Sequence, residues 1–416
     1  MISSLIGRMV QFITLVLVLL TASAVNAATS RISLASTVIF DVMRYGAKGN
    51  GKTDDSQAFM KAWTAACQSK PNAKSIVNIP GGRTYLLKPV AFTGPCKPSK
   101  MFVQVSGNIV GSPRKGDWMS NHADSWLQFS NVNGLTVNGK GRIDGLGPMW
   151  WKNPCISPPP PGVTCHAPVE VQFKRCHGMR LNGLTLVNSP RVHLLLTTCN
   201  GAIVSNIHII SPETSPNTDG INIAGSTNVN VRDSVIAAGD DCIAISGGSS
   251  NIKISGIMCG PGHGISIGSL GHGGTDIVEN VDVRNCTMRK TLAGVRIKTY
   301  QGGVGYAKKI SFTGIKFDAV YNPIIIDQYY CPTKQDCLSS ATTVKLSDIT
   351  FRGISGTSNM ENVINLSCSK TVACTNIVVD RVYIKSAIPG RKVYGSCINA
   401  HGRATHVKPY LNCLKP

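Results

Sequence analysis

Charge is scarce in this 416-residue chain: 15% of residues are charged, with only 21 acidic against 42 basic, a formal net charge of +21. Aromatic residues are scarcer still, at 6%. Low charge beside 42% hydrophobic residues excludes intrinsic disorder and leaves ample material for a large core. No block of consecutive basic residues occurs, which removes local support for a nuclear-targeting signal or a basic tail. Few aromatics, 42 glycines and 22 prolines argue against a helical bundle and for a chain with many turns. Only one long apolar run stands out, Val10 to Ala22, and it is too short to span a bilayer comfortably.

That run follows Arg8 and leads into Val25-Asn26-Ala27, small residues spaced for signal peptidase, so residues 1–27 read as a secretory signal. A membrane anchor is the alternative. The mature chain, 28–416, is then expected to be one extracellular catalytic domain with no membrane segment. Fifteen cysteines in an exported chain imply disulfides, and the odd number implies at least one free thiol unless chains pair. Spacing suggests Cys155 with Cys165, Cys331 with Cys337, Cys368 with Cys374, and Cys397 with Cys413. Zinc is the weaker reading, because no pair of short cysteine spacings occurs with histidine at ligand distance. Asn285-Cys286-Thr287 and Asn365-Leu366-Ser367 are glycosylation acceptors in such a compartment. The positive surplus points to an anionic partner, and export disfavours nucleic acid, leaving an acidic carbohydrate as the expected one. A monomer is expected.

A short unit recurs: an apolar residue, two polar or small ones, then further apolar positions. It stands at Val132–Val137, Leu181–Leu186, Val204–Ile209, Ile254–Ile257, Phe312–Phe317, Leu346–Phe351 and Val379–Ile384, with a degenerate copy at Val231. The period is roughly 23 to 34 residues. Copies this short and β-branched, separated by Gly and Asn turns, describe an all-β right-handed parallel β-helix rather than a propeller or sandwich. The one strong helical pattern, Ser56 to Cys67, is expected to cap the coil at its N-terminal end, with Asp54 and Gln57 as a capping box. Just before it, Gly46-Ala47-Lys48-Gly49-Asn50-Gly51-Lys52-Thr53 satisfies the phosphate-loop pattern. Export, the absence of strand–helix alternation and the following Asp54-Asp55 argue against a nucleotide there.

Four polar clusters fall in the middle of the repeat: Asn217-Thr218-Asp219-Gly220, Gly239-Asp240-Asp241, Gly262-His263-Gly264 and Arg296-Ile297-Lys298. Their separations are each about one coil, so a parallel coil stacks them on one outer face. Singly, each reads as a turn, a solvated bend or an exposed strand charge; co-registration favours a site. Arg296 and Lys298, two apart on a strand, both point away from the interior. Three crowded acids repel, which raises the pKa of at least one, and a protonated acid beside an ionised one is what acid/base hydrolysis of a glycosidic bond requires. The cations would hold a substrate carboxylate. No metal-ligand cluster accompanies the acids, and no cofactor is expected.

In this order and spacing, the four clusters resemble the signatures of the polygalacturonases, secreted pectinases with a right-handed parallel β-helix, a likeness that implies a place in the cell wall. The resemblance runs from Tyr45-Gly46-Ala47 and Thr53-Asp54-Asp55 to Cys413. It implies Asp240 as general acid, Asp219 and Asp241 as the residues that position and deprotonate water, and His263 as tuning the acid or aiding proton transfer. Asn217, Arg296, Lys298 and Tyr330 would bind substrate, with Tyr329 competing for the last role. A bridge between Cys242 and Cys259, inversion, and independence of metals are implied as well. The run Cys259 to Gly271 looks like plant members, and the C-terminal half leans towards the pollen-type exo-acting group. A pectate or pectin lyase, a rhamnogalacturonan hydrolase and a silent wall-binding protein are the rival readings; the stacked aspartates favour hydrolysis.

Overall fold

The computed structural model describes residues 2, 6–11, 13, 36–118, 124–154, 166–332 and 340–415. Thr37–Pro416 is one unit, and Met1–Ser36, where residues 6–11 are helical, is another. Most of the expected signal segment, 1–27, lies outside the described residues.

Ladders of identical register build the coil. Leu194 pairs with Ile221, Ile221 with Ile243, Ile243 with Ile265, Ile265 with Val295, and Val295 with Ile324, all in parallel. Each of these side chains is at most 1% exposed. Their strands belong to an eleven-strand sheet that runs from Val90–Thr93 to Tyr394–Ile398, and a larger parallel sheet closes the coil. Because successive side chains alternate across a strand, one face of every rung stacks apolar residues inside and the other is left to the surface. Phe92, Phe129 and Phe173 stack with centroids 4.9 and 5.1 Å apart, and Phe312 lies over Phe351 at 5.3 Å. This is the expected all-β parallel β-helix.

The repeat differs from its reading in the sequence in one respect. Its copies occupy two different corners of the rung. Val137, which ends the first copy, pairs with Leu181, which begins the second. The first corner turns on Gly134 or Asp348, the other on Gly183, Asn206, Asp233, Gly256, Gly314 or Arg381, all with positive φ. A single left-handed residue breaks the in–out alternation, so apolar residues fall two before and one after the turn at either corner, and both corners produce the same local pattern.

Helix Ser56–Cys67 forms where expected and buries Ala58, Phe59, Ala62, Trp63, Ala66 and Cys67. The Trp63 ring meets those of Phe92 and Phe129 at 5.3 and 5.9 Å, closing the apolar end of the coil. The capping box is not present. The N-cap is Asp55, without a side-chain cap bond, while Asp54 Oδ1 accepts from Ser56 N at 3.0 Å. Asp55 is instead buried beneath the glycine-rich loop, its carboxylate accepting from Lys48 N and Gly49 N at 2.6 and 3.1 Å. The amides that a phosphate would need are therefore occupied by the chain's own carboxylate.

Disulfides join Cys242 to Cys259, Cys368 to Cys374 and Cys397 to Cys413, as expected. A fourth, Cys67 to Cys96, was not anticipated; it ties the helix end to the following rung. Cys331 is disulfide-bonded, but Cys337, Cys155 and Cys165 lie outside the described residues. Cys176, Cys199 and Cys286 are free and buried. Asn285 is exposed, whereas Asn365 is half-buried, its amide oxygen accepting from Ser367 and Ser396.

Candidate active site

Three consecutive rungs of the eleven-strand sheet carry the three candidate acids and the histidine. Ile221, Ile243 and Ile265 are in register, so Asp219, Asp241 and His263, each two residues earlier, fall at equivalent positions, with Asp240 beside Asp241. The turns are fixed by small residues and a hydroxyl. Gly239 N donates to Thr218 Oγ1 at 2.9 Å, which ties the Asp219 turn to the Asp240 turn. A Cβ on Gly239 would lie 1.9 Å from Ser215 O, so only glycine fits that crossing. The Cys242–Cys259 bridge follows Asp241 directly.

Asp240 and Asp241 have different partners. Asp240 Oδ1 lies 2.9 Å from His263 Nδ1, and its Oδ2 accepts from Asn217 Nδ2 at 3.4 Å. Asp241 is 1% exposed; Ser266 Oγ and Arg296 Nη2 donate to its Oδ1, and Lys298 Nζ to its Oδ2, each at 2.8 Å. Arg296 Nε also donates to Ser266 Oγ at 3.0 Å. The two cations do point away from the coil interior, but the expectation of exposed strand charges is not met: Lys298 is 7% exposed and bound to Asp241. They neutralise a carboxylate that would otherwise be buried alone.

The proton distribution also differs from the sequence reading. Burial, then the charges of Asp240 and Asp241, push the Asp219 carboxyl well above the usual range, against the weaker pull of Lys298 and a hydrogen bond from Asn222. Burial also acts to raise Asp240, but the His263 hydrogen bond and charge, with Lys298 and the Asp241 amide, outweigh it and hold that carboxyl below its usual value. One acid is raised, by burial first and by crowding second, and that acid is Asp219. A count of like charges alone omits the histidine bond that decides between them.

Tyr330 is brought to the site: Lys298 Nζ lies 5.2 Å from its ring centroid, and its ring meets Tyr300 edge-on at 5.4 Å. Tyr329 turns elsewhere, its Oη accepting from Lys370 N at 2.9 Å. Three contributors escaped the sequence reading. Ser266 links Asp241 to Arg296; aligning Ile265 with Val295 would have placed Ser266 beside Arg296. Asn222 hydrogen-bonds Asp219. His193 is fully buried and held near pKa 4 by that burial, and its Nδ1 and Nε2 lie 3.0 Å from Asp219 O and 2.9 Å from Ser211 Oγ, fixing the Asp219 backbone.

Asp240, Asp241 and His263 place possible ligand atoms within 4.8 Å of one another. A cation there would compete with His263 for Asp240 and with Arg296, Ser266 and Lys298 for Asp241. The Asp241 carboxylate is already engaged on both oxygens by cationic donors, which makes it a poor ligand for a metal.

Residues 67–407 match the family described as glycosyl hydrolases family 28. A "probable polygalacturonase" of Arabidopsis thaliana is 45% identical over 91% of this chain and 81% of its own length. The exopolygalacturonase of Zea mays is 37% identical over 90% of each chain. Among solved structures, the endo-xylogalacturonan hydrolase of Aspergillus tubingensis superposes with a TM-score of 0.74 over 88% of this chain and all of its own, at 24% identity, a likeness of fold.

Proposed function

Because the chain belongs to glycosyl hydrolases family 28, we propose that it is a secreted polygalacturonase that hydrolyses the α-1,4 bonds of polygalacturonate with inversion. The observation that carries this reading is the gathering of three carboxyls, one histidine and two cations on one outer face. Asp219 and Asp240 titrate as a pair holding one proton, and the microstate with that proton on Asp240 donates it to the leaving glycosidic oxygen. Asp219 and Asp241 take the water that attacks from the other side. His263 sets the proton affinity of Asp240. Arg296 and Lys298 serve both the fold and the substrate. Their bonds to Asp241 and Ser266 leave further N–H donors on each, which meet the galacturonate carboxylate beside Asn217 and Tyr330.

Exo action is the finer reading, supported by the similarity to the maize exopolygalacturonase along 90% of both chains. Export to the cell wall is supported by the apolar run before Ala27 and by the disulfides. Digestion of polygalacturonate tests the assignment. Reducing ends should appear without any unsaturated product absorbing in the ultraviolet, a chelator should leave the rate unchanged, and the monomer should be the first product. Unsaturated ends would establish a lyase, and an early ladder of oligomers an endo mode.

A further inference from the structure

A groove of about 580 Å³ lies at the C-terminal end of the coil, lined by Tyr383, His406, Lys408, Tyr410, Leu411 and Leu414 among others. It sits on the larger sheet, where Tyr383 pairs with Lys408, and not on the sheet that carries the catalytic carboxyls. We propose that it is a second binding site for a stretch of uronate polymer, holding the chain while the cleft works on another part of it; this rests on the polygalacturonase reading.

Three features support that occupant. In a chain with 6% aromatic residues, two tyrosines stand out from this one groove, Tyr410 at 76% exposure and Tyr383 at 46%. Their rigid amphipathic rings offer an apolar face to a sugar ring and a hydroxyl to its edge, at little cost in side-chain entropy. Lys408 brings a positive charge to the groove, and among the described residues that line it there is no carboxylate. Asp380, next to it on the tyrosine's strand, is held by Arg352 Nε, Arg381 Nη2 and Thr405 Oγ1, each at 3.1 Å. An anionic sugar therefore meets the Lys408 ammonium with no carboxylate among the described lining residues to oppose it. Finally, the groove is preformed. Its second wall is the tail after Lys408, pinned by buried Leu411 and Leu414 and by the bridge from Cys413 to Cys397. A site ordered before binding loses less entropy on association. Its volume suits a few sugar rings.

The experiment is native electrophoresis through gels containing polygalacturonate, with the full-length Asp240→Asn variant to prevent digestion. Adding Tyr383→Ala and Tyr410→Ala together should weaken retardation by about fivefold in dissociation constant, the effect of losing two aromatic contacts. Lys408→Gln should flatten its salt dependence. Fully methyl-esterified polymer should retard the parent less. In the otherwise wild-type enzyme, the two tyrosine substitutions should leave turnover of a short oligogalacturonate unchanged. Unchanged retardation by the tyrosine variants, equal retardation by the neutral polymer, or an equal loss of short-oligomer turnover would each overturn the proposal. Failure of the wild type to hydrolyse polygalacturonate would instead sink the assignment of the cleft, so the two readings fail separately.

Discussion

The strands Ile265–Leu270 and Ala293–Thr299 carry two regions on opposite faces of the same backbone. Inward, Ile265, Ile267, Val295 and Ile297 are buried among apolar neighbours on adjoining rungs. Outward, Ser266, Arg296 and Lys298 converge on Asp241. The inner face is stabilised by area removed from water, a term indifferent to which apolar partner is met. The outer face depends on each donor reaching one acceptor, since an unmatched charge at that depth is strongly unfavourable. The two faces should therefore fail differently when altered.

The largest effect is expected at Asp241. Asp241→Asn leaves Arg296 and Lys298 facing a neutral amide, so stability should fall by about 3–5 kcal/mol, and kcat by at least about a hundredfold. Asp240→Asn and Asp219→Asn should match that loss of rate with little loss of stability. Denaturant unfolding beside kinetics separates them, and an Asp241 variant as stable as wild type would mean that the three charged groups do not support the fold.

Next comes the inner face. Ile265→Ala should cost about 2–5 kcal/mol of stability through lost transfer and the cavity left behind. Turnover of the remaining folded enzyme should hardly change. A selective loss of kcat would show that the interior is not independent of the floor above it.

The pH dependence sharpens the contrast further. Burial raises Asp219 and also Glu170, so both favour the proton in the fold. Their contribution to stability is complete below the unfolded carboxylate range and is lost as pH rises through their raised folded values. Asp240 acts in the opposite sense: held low by His263, it stabilises above the unfolded range and is lost as pH falls through its lowered value. Activity should be bell-shaped with a mildly acidic maximum, inside the window where the Asp219–Asp240 pair carries one proton. His263→Ala should shift the acid limb upward. Measuring kcat and the unfolding midpoint against pH tests both; an alkaline optimum would contradict a carboxylic acid donor.

The smallest effect is expected at Ser266. Ser266→Ala removes one hydrogen bond each from Asp241 and Arg296, about 1 kcal/mol of stability, with KM rising more than kcat falls. A loss of rate as large as that of Asp241→Asn would make Ser266 a catalytic residue rather than a positioning one.

The coil was legible because its signals are local. An apolar residue two before and one after a left-handed turn recurs wherever the chain bends, and its repetition is enough to infer stacking. The same locality hid the second corner, since Val132–Val137 and Leu181–Leu186 look alike although they occupy different turns. The helix was legible from its periodicity, yet not its capping, because Asp55 is drawn to amides of the glycine-rich loop. Cys67 and Cys96 gave no spacing signal; only the packing of the helix end against the coil brings their Cα atoms to 4.4 Å.

By itself, then, the sequence determined that the chain would coil, and that three acids, a histidine and two cations would share one face, because strand periodicity and equal rung lengths are properties of the chain's order. Only the tertiary structure decided that Arg296 and Lys298 hold Asp241, that Tyr330 rather than Tyr329 faces them, and that the proton of the resting site prefers Asp219. Those outcomes depend on separations of a few ångströms and on burial, and electrostatic energies vary with both too steeply for residue order to settle them.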